Sequence, residues 1–139
     1  MWELPAVEHL IKIGLALALG GFIGFEREWA DKPAGIRTHI LVCLAACVVT
    51  ILALDFENTT FEGQARIIEG LIVGIGFLGA GTIISSGGGV KGLTTAASVW
   101  TTTGIGITVG AGKMALAVIA AVAVFVVLRV GKAKHRLGD

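Results

Sequence analysis

Charge is what this sequence has least of. Only 21 of its 139 residues are Asp, Glu, Lys or Arg, and they balance to a formal net charge of +1. Such a balance provides no electrostatic footprint for nucleic acid. Cysteine is scarce too: Cys43 and Cys47 lie one helical turn apart in an apolar run, a poor geometry for a disulfide. A signal peptide is not expected, because Glu3 and Glu8 stand where a basic region belongs and no Ala-x-Ala site follows the first apolar run. That run reads as a permanent span. No nucleophile–base arrangement is present, so the chain is not expected to be an enzyme.

What the sequence does have is apolar length. Its apolar content of 55% and mean hydropathy of +0.87 exceed those of a soluble domain. A span needs about 20 mostly apolar residues. Five runs meet or approach this, at 7–25, 38–56, 65–84, 94–111 and 114–130. Six of the 21 charged residues crowd into Glu26–Arg37, between the first two runs. Ions are not solvated in hydrocarbon, so this stretch marks where the chain leaves the membrane.

Lys and Arg set the orientation. One side carries Arg27, Lys32, Arg37, Lys91, Arg129, Lys132, Lys134 and Arg136; the other carries only Lys12, Arg66 and Lys113. The N-terminus is therefore expected outside and the C-terminus in the cytoplasm. The fold expected is an all-α membrane protein of one domain, 1–139, with five transmembrane helices.

Small residues indicate how the helices meet. Gly20 and Gly24 in span one, Gly70, Gly74, Gly76, Gly79 and Gly81 in span three, and Gly106 and Gly110 in span four are candidate packing glycines. With several such stripes on five helices, a homo-oligomer is plausible. Span three, the richest in glycine, is the helix expected to bend or break.

The two halves echo each other. Gly21-Phe22-Ile23-Gly24 returns as Gly76-Phe77-Leu78-Gly79, and Ala34–His39 returns as Lys91–Ala96, at offsets of 55 and 57. This suggests two pseudo-equivalent hairpins, spans one–two and three–four, with a fifth helix appended. Charge stands at the end of span one only, which points to the first hairpin as the chemical side.

Glu26, Arg27, Glu28, Asp31, Arg37, Thr38 and His39 form the leading candidate polar site, a mouth where carboxylates could attract a hard cation such as Mg2+. A salt-bridge network fixing the hairpin is the competing reading, favoured for Asp31 and Lys32. Glu69 is placed about one turn into span three, with Arg66 three residues earlier on the same face. It is either an intramembrane ligand or one half of an interfacial ion pair. His39, Cys43 and Cys47 share a helix face but span about 12 Å at 1.5 Å per residue, too far to hold one ion together. The Gly-rich connection Ser85–Gly92 lacks the Walker A spacing and reads as a turn with a Thr N-cap. Thr82, Thr101, Thr102, Thr103 and Thr108 could line a polar path, but bonding back to their own helix carbonyls is the commoner use.

Four blocks together, Gly-Phe-Glu-Arg-Glu at 24–28, Ala-Gly-Ile-Arg-Thr-His at 34–39, Gly-Ile-Gly-Phe-Leu-Gly-Ala-Gly at 74–81 and Val-Lys-Gly-Leu-Thr-Thr-Ala-Ala-Ser-Val-Trp at 90–100, resemble the MgtC/SapB family over nearly all five spans. The resemblance implies a multi-pass protein of the bacterial inner membrane, here a short form without the cytoplasmic C-terminal domain some members carry. It also implies a link to Mg2+ limitation, to virulence-type stress and to ion or energy homeostasis. The expected activity is regulatory: helix packing on a membrane partner such as the F-type ATP synthase or a magnesium transporter, with no cofactor beyond possible Mg2+. The alternative is a homo-oligomeric ion channel or transporter with Glu26, Arg37 and Glu69 near its path.

Overall fold

A chain in hydrocarbon must satisfy its backbone polar groups within each segment, so each apolar run folds as one helix. In the computed structural model, which describes residues 3–56, 58–86 and 89–136, these are α1 (Glu3–Trp29), α2 (Ile36–Asp55), α3 (Phe61–Ala80), α4 (Leu93–Gly110) and α5 (Met114–Arg136). Between α3 and α4 a short antiparallel pair forms, β1 (Ile84–Ser86) and β2 (Gly89–Lys91), with Ile84 opposite Lys91. Four helices, α1, α2, α3 and α5, are long and apolar enough to cross a membrane. The chain is a multi-pass membrane protein.

The remaining helix, α4, is less apolar because it carries Thr94, Thr95, Ser98, Thr101, Thr102 and Thr103. It touches all four other helices, which bury one side of it from Thr95 to Gly110. Its hydroxyls turn inward to backbone: Thr102 donates to the Ser98 carbonyl at 2.7 Å, Thr103 to Val99 at 3.1 Å and Thr108 to Gly104 at 2.8 Å. The expectation that threonine bonds to its own helix holds here.

Glycine closes the seam of α1, α2 and α4. A Cβ on Gly24 would stand 2.6 Å from the Ile36 Cα, and one on Gly110 would stand 2.7 Å from the Cys47 carbonyl oxygen. Gly20 and Gly106 meet α2 in the same way, so backbones touch where any side chain would hold them apart. Ala16, Ile23, Cys43, Cys47, Ile105 and Val109 fill the rest of this core. The α5 helix joins it through Ala117 and Ala121 and through a stack of Phe125 on Phe22, with ring centroids 4.4 Å apart. His9 and Asp55, 3.1 Å apart, clip the start of α1 to the end of α2.

The ends of the helices correct several expectations. The α1 helix closes on bonds from the Lys32 amide to the Arg27 carbonyl and from the Asp31 amide to Glu28, with Asp31 at φ 55°. This is a Schellman cap, and a short polar side chain tolerates its left-handed position. Span three was expected over 65–84, yet the helix runs Phe61–Ala80. Thr60 caps its start by accepting from the Gly63 amide at 3.2 Å, and Gly81 ends it. It is one continuous helix, not a broken one, because Gly74 and Gly76 keep their places in the helical ladder. The cap of α4 is Gly92 at φ 93°, not a threonine; only glycine adopts that conformation readily. Gly87 and Gly88, the tip of the Gly-rich connection, lie outside the described residues.

Candidate functional site

The close contact at Gly24 lays the last turns of α1 on the first turn of α2, and that contact builds the polar site. Glu26 and Arg27 are 1% and 2% exposed, with Arg27 Nη1 3.4 Å from Glu26 Oε2. One turn into α2, His39 is fully buried. Its Nδ1 lies 2.8 Å from the Gly35 carbonyl oxygen and its Nε2 lies 3.0 Å from Ser98 Oγ of α4. Both charges of the Glu26–Arg27 pair act on the His39 ring.

The hydrogen bonds constrain the protons. A carbonyl only accepts, so Nδ1 of His39 carries a hydrogen. In the neutral ring Nε2 then accepts from the Ser98 hydroxyl. In the protonated ring Nε2 donates instead, and the Ser98 hydrogen turns to the Thr95 carbonyl oxygen, 2.8 Å away. The same heavy-atom positions therefore serve both charge states of His39.

Arg27 Nε and Nη2 have no hydrogen-bond partner among the described residues. Glu26 also borders a cavity of about 130 Å³ with Phe25, Trp29, Phe125 and Arg129, between α1 and α5. Thr38 borders another of about 340 Å³ with Pro33, Ala34, Leu78, Gly81, Thr82 and Val99.

The expected cluster is only partly assembled. Glu28 is exposed and its Oε2 accepts the Ile36 amide at 2.9 Å, which caps the first amide of α2. Arg37 is exposed and, among the described residues, pairs with none of the carboxylates. His39, two residues on, points into the core because helical residues two apart project about 200° apart, to nearly opposite sides. Among the described residues, no group of three His, Cys, Asp or Glu side chains could hold a metal ion. Cys43 and Cys47 are free and buried, as packing residues.

Arg66 and Glu69 belong to a different region. Glu69 borders a groove with Leu54, at the end of α2 opposite to His39, and the fifteen residues between them rise about 22 Å. Because α3 begins four residues earlier than expected, Glu69 is the ninth residue of the helix and not near its first turn. Arg66 and Glu69 are both exposed and, among the described residues, form no ion pair.

Two site residues escaped the sequence reading. Ser98 gave no local signal, since its bond to His39 crosses 59 positions. Lys12 was counted only as an external charge, yet it is 8% exposed, held 2.6 Å from Glu8 Oε1 and aimed at the α4–α5 turn at Gly112. Its spacing of four from Glu8 was the available signal.

A match to the MgtC family covers residues 13–137. The chain belongs to the MgtC family. Within the family it is 40% identical to an uncharacterised protein of Haemophilus influenzae, over 93% of this chain and 59% of that protein. It is 39% identical to Protein MgtC of Salmonella typhimurium, over 76% of this chain and 44% of that protein. It is 34% identical to the Putative magnesium transporter YhiD of Escherichia coli, over 88% and 60%. This MgtC-family chain thus spans about half the length of the curated relatives it matches. No solved structure matches it.

Proposed function

We propose that this protein is a regulator in the bacterial inner membrane, acting on ion or energy homeostasis under Mg2+ limitation through helix contacts with a membrane partner. The magnesium link rests on the name of the relative YhiD. The orientation, N-terminus outside and C-terminus cytoplasmic, rests on the Lys and Arg distribution, and the same reading takes α4 as a fifth span between the others. The pseudo-equivalence of the hairpins has one structural support: Gly24 meets His39 and Gly79 meets Ala96, the same pair of repeat positions.

The observation that carries the regulatory reading is the closed seam of α1, α2 and α4. The polar groups at its two ends, His39 with Glu26 and Arg27 at one and Lys12 at the other, are separated by backbone contacts at Gly20, Gly106 and Gly110. Mg2+ keeps several waters at about 2.1 Å and sheds them reluctantly. A seam packed that closely does not pass such an ion. The protein then acts through its surfaces, which supports a membrane partner such as an ATP synthase or a magnesium transporter.

Physiology tests this directly. Under low Mg2+, deletion of the protein is expected to change cellular ATP or membrane potential while the initial rate of Mg2+ uptake stays the same. A drop in Mg2+ uptake with unchanged energetics would overturn it. A second reading, an ion path formed between copies, is favoured by one feature only, the exposed carboxylate of Glu69 midway along α3.

A further inference from the structure

The α3 helix is amphipathic in an unusual sense, because its outward face holds charge. Its inner row, Gly63, Ile67, Leu71, Ile75 and Gly79, is partly or fully covered. The opposite face holds Arg66, Glu69, Gly70, Val73, Gly76 and Phe77, all exposed, with Val73 at 70% and Phe77 at 87%. At 3.6 residues per turn these six fall within about 120° of arc. Arg66 and Glu69 therefore stand on an exposed surface of α3, with Glu69 on the side where a groove opens toward Leu54 of α2. Glu69 lies about 12 Å along a helix about 30 Å long, a depth at which a charge facing lipid is strongly disfavoured.

We propose that this face takes a second copy of the same chain, related by a two-fold axis along the membrane normal, with Arg66 of each copy paired to Glu69 of the other. Copies of one chain insert in one orientation, so two α3 helices meet parallel and level. The two residues differ by about 4.5 Å in height, within reach of their side chains. A face bearing both signs one turn apart is complementary to itself, which is the requirement of an isologous contact. The backbones are free to approach: a Cβ on Gly70 or Gly76 would meet nothing within 4 Å, whereas Gly24 and Gly106 are already packed on α2. This assembly goes beyond the regulatory reading, which concerns what the protein acts on.

The test is disulfide crosslinking of the full chain in bacterial membranes. Cys43 and Cys47 are buried and contribute no background. Val73→Cys is expected to give a crosslinked dimer on oxidation, and Val127→Cys, on the exposed side of α5, is not. In the Val73→Cys background, Arg66→Glu alone or Glu69→Arg alone should lose most of the dimer. Co-expression of the two variants should restore it, since each mixed pair again joins opposite charges. Restoration in the mixed pair also shows that both variants insert and fold. No crosslink at Val73 in inserted protein overturns the proposal and leaves the face to a different membrane protein. A crosslink indifferent to both charge variants overturns the pairing.

Discussion

His39 Nε2 and Ser98 Oγ, 3.0 Å apart, join α2 to α4 across 59 residues of chain. The bond sits where α1 also arrives, so three helices converge on one buried imidazole. Ser98→Ala leaves Nε2 without its partner in a closed seam. Leaving a buried acceptor unsatisfied costs about 1–3 kcal/mol, and less if a water enters. His39→Ala removes two bonds and much packed volume, and its loss should be the larger. Thermal unfolding in nanodiscs measures both; stability equal to the parent would show that this bond does not hold the helices.

The Glu26–Arg27 pair should behave as a unit. Removing Glu26 strands the buried guanidinium of Arg27, whose Nε and Nη2 have no other partner among the described residues, at roughly 3–5 kcal/mol. Glu26→Gln is expected to destabilise strongly, and the double substitution with Arg27→Gln much less than the sum of the two single changes. A double-mutant cycle gives the coupling. Additive effects would mean that the two side chains are stabilised separately.

The candidate glycines divide into two classes. Gly24→Ala would push a methyl to within 2.6 Å of the Ile36 Cα, and Gly110→Ala would meet the Cys47 carbonyl oxygen. Overpacking of this kind costs typically about 1–3 kcal/mol. Gly74→Ala meets nothing and should leave the protomer as stable as the parent or slightly more so. Equal sensitivity at Gly24 and Gly74 would contradict the division.

Glu28 is expected to act as a cap and not as a ligand. Glu28→Ala should destabilise α2 by about 1 kcal/mol, with faster hydrogen exchange at the Ile36 amide. Glu28→Gln keeps an acceptor and should be milder. Protection unchanged in Glu28→Ala would remove the capping role.

The sequence disclosed the helices better than their contacts. Apolar runs located the helices, four of which are long and apolar enough to cross a membrane, because hydrocarbon leaves a backbone few alternatives. The polar hairpin was legible as a place, since charge cannot hide among apolar runs. Its internal arrangement was not: whether Arg37 or His39 turns inward depends on which side of α2 meets α1 and α4. The start of α3 was misplaced because hydropathy ignores the Thr60 cap, four residues before Gln64. That shift moved Glu69 from the helix edge toward its middle.

The central proposal is that the protein acts on a partner and moves no ion itself, and flux across proteoliposomes tests it most directly. The measurement screens Mg2+, Na+, K+, H+, Cl− and F−, with and without an imposed potential, using protein shown to be folded and inserted. The account predicts no flux above that of protein-free vesicles. Flux that disappears in Glu26→Gln would contradict it by placing the ion in the closed seam, and flux that disappears in Glu69→Gln would place it between copies along α3.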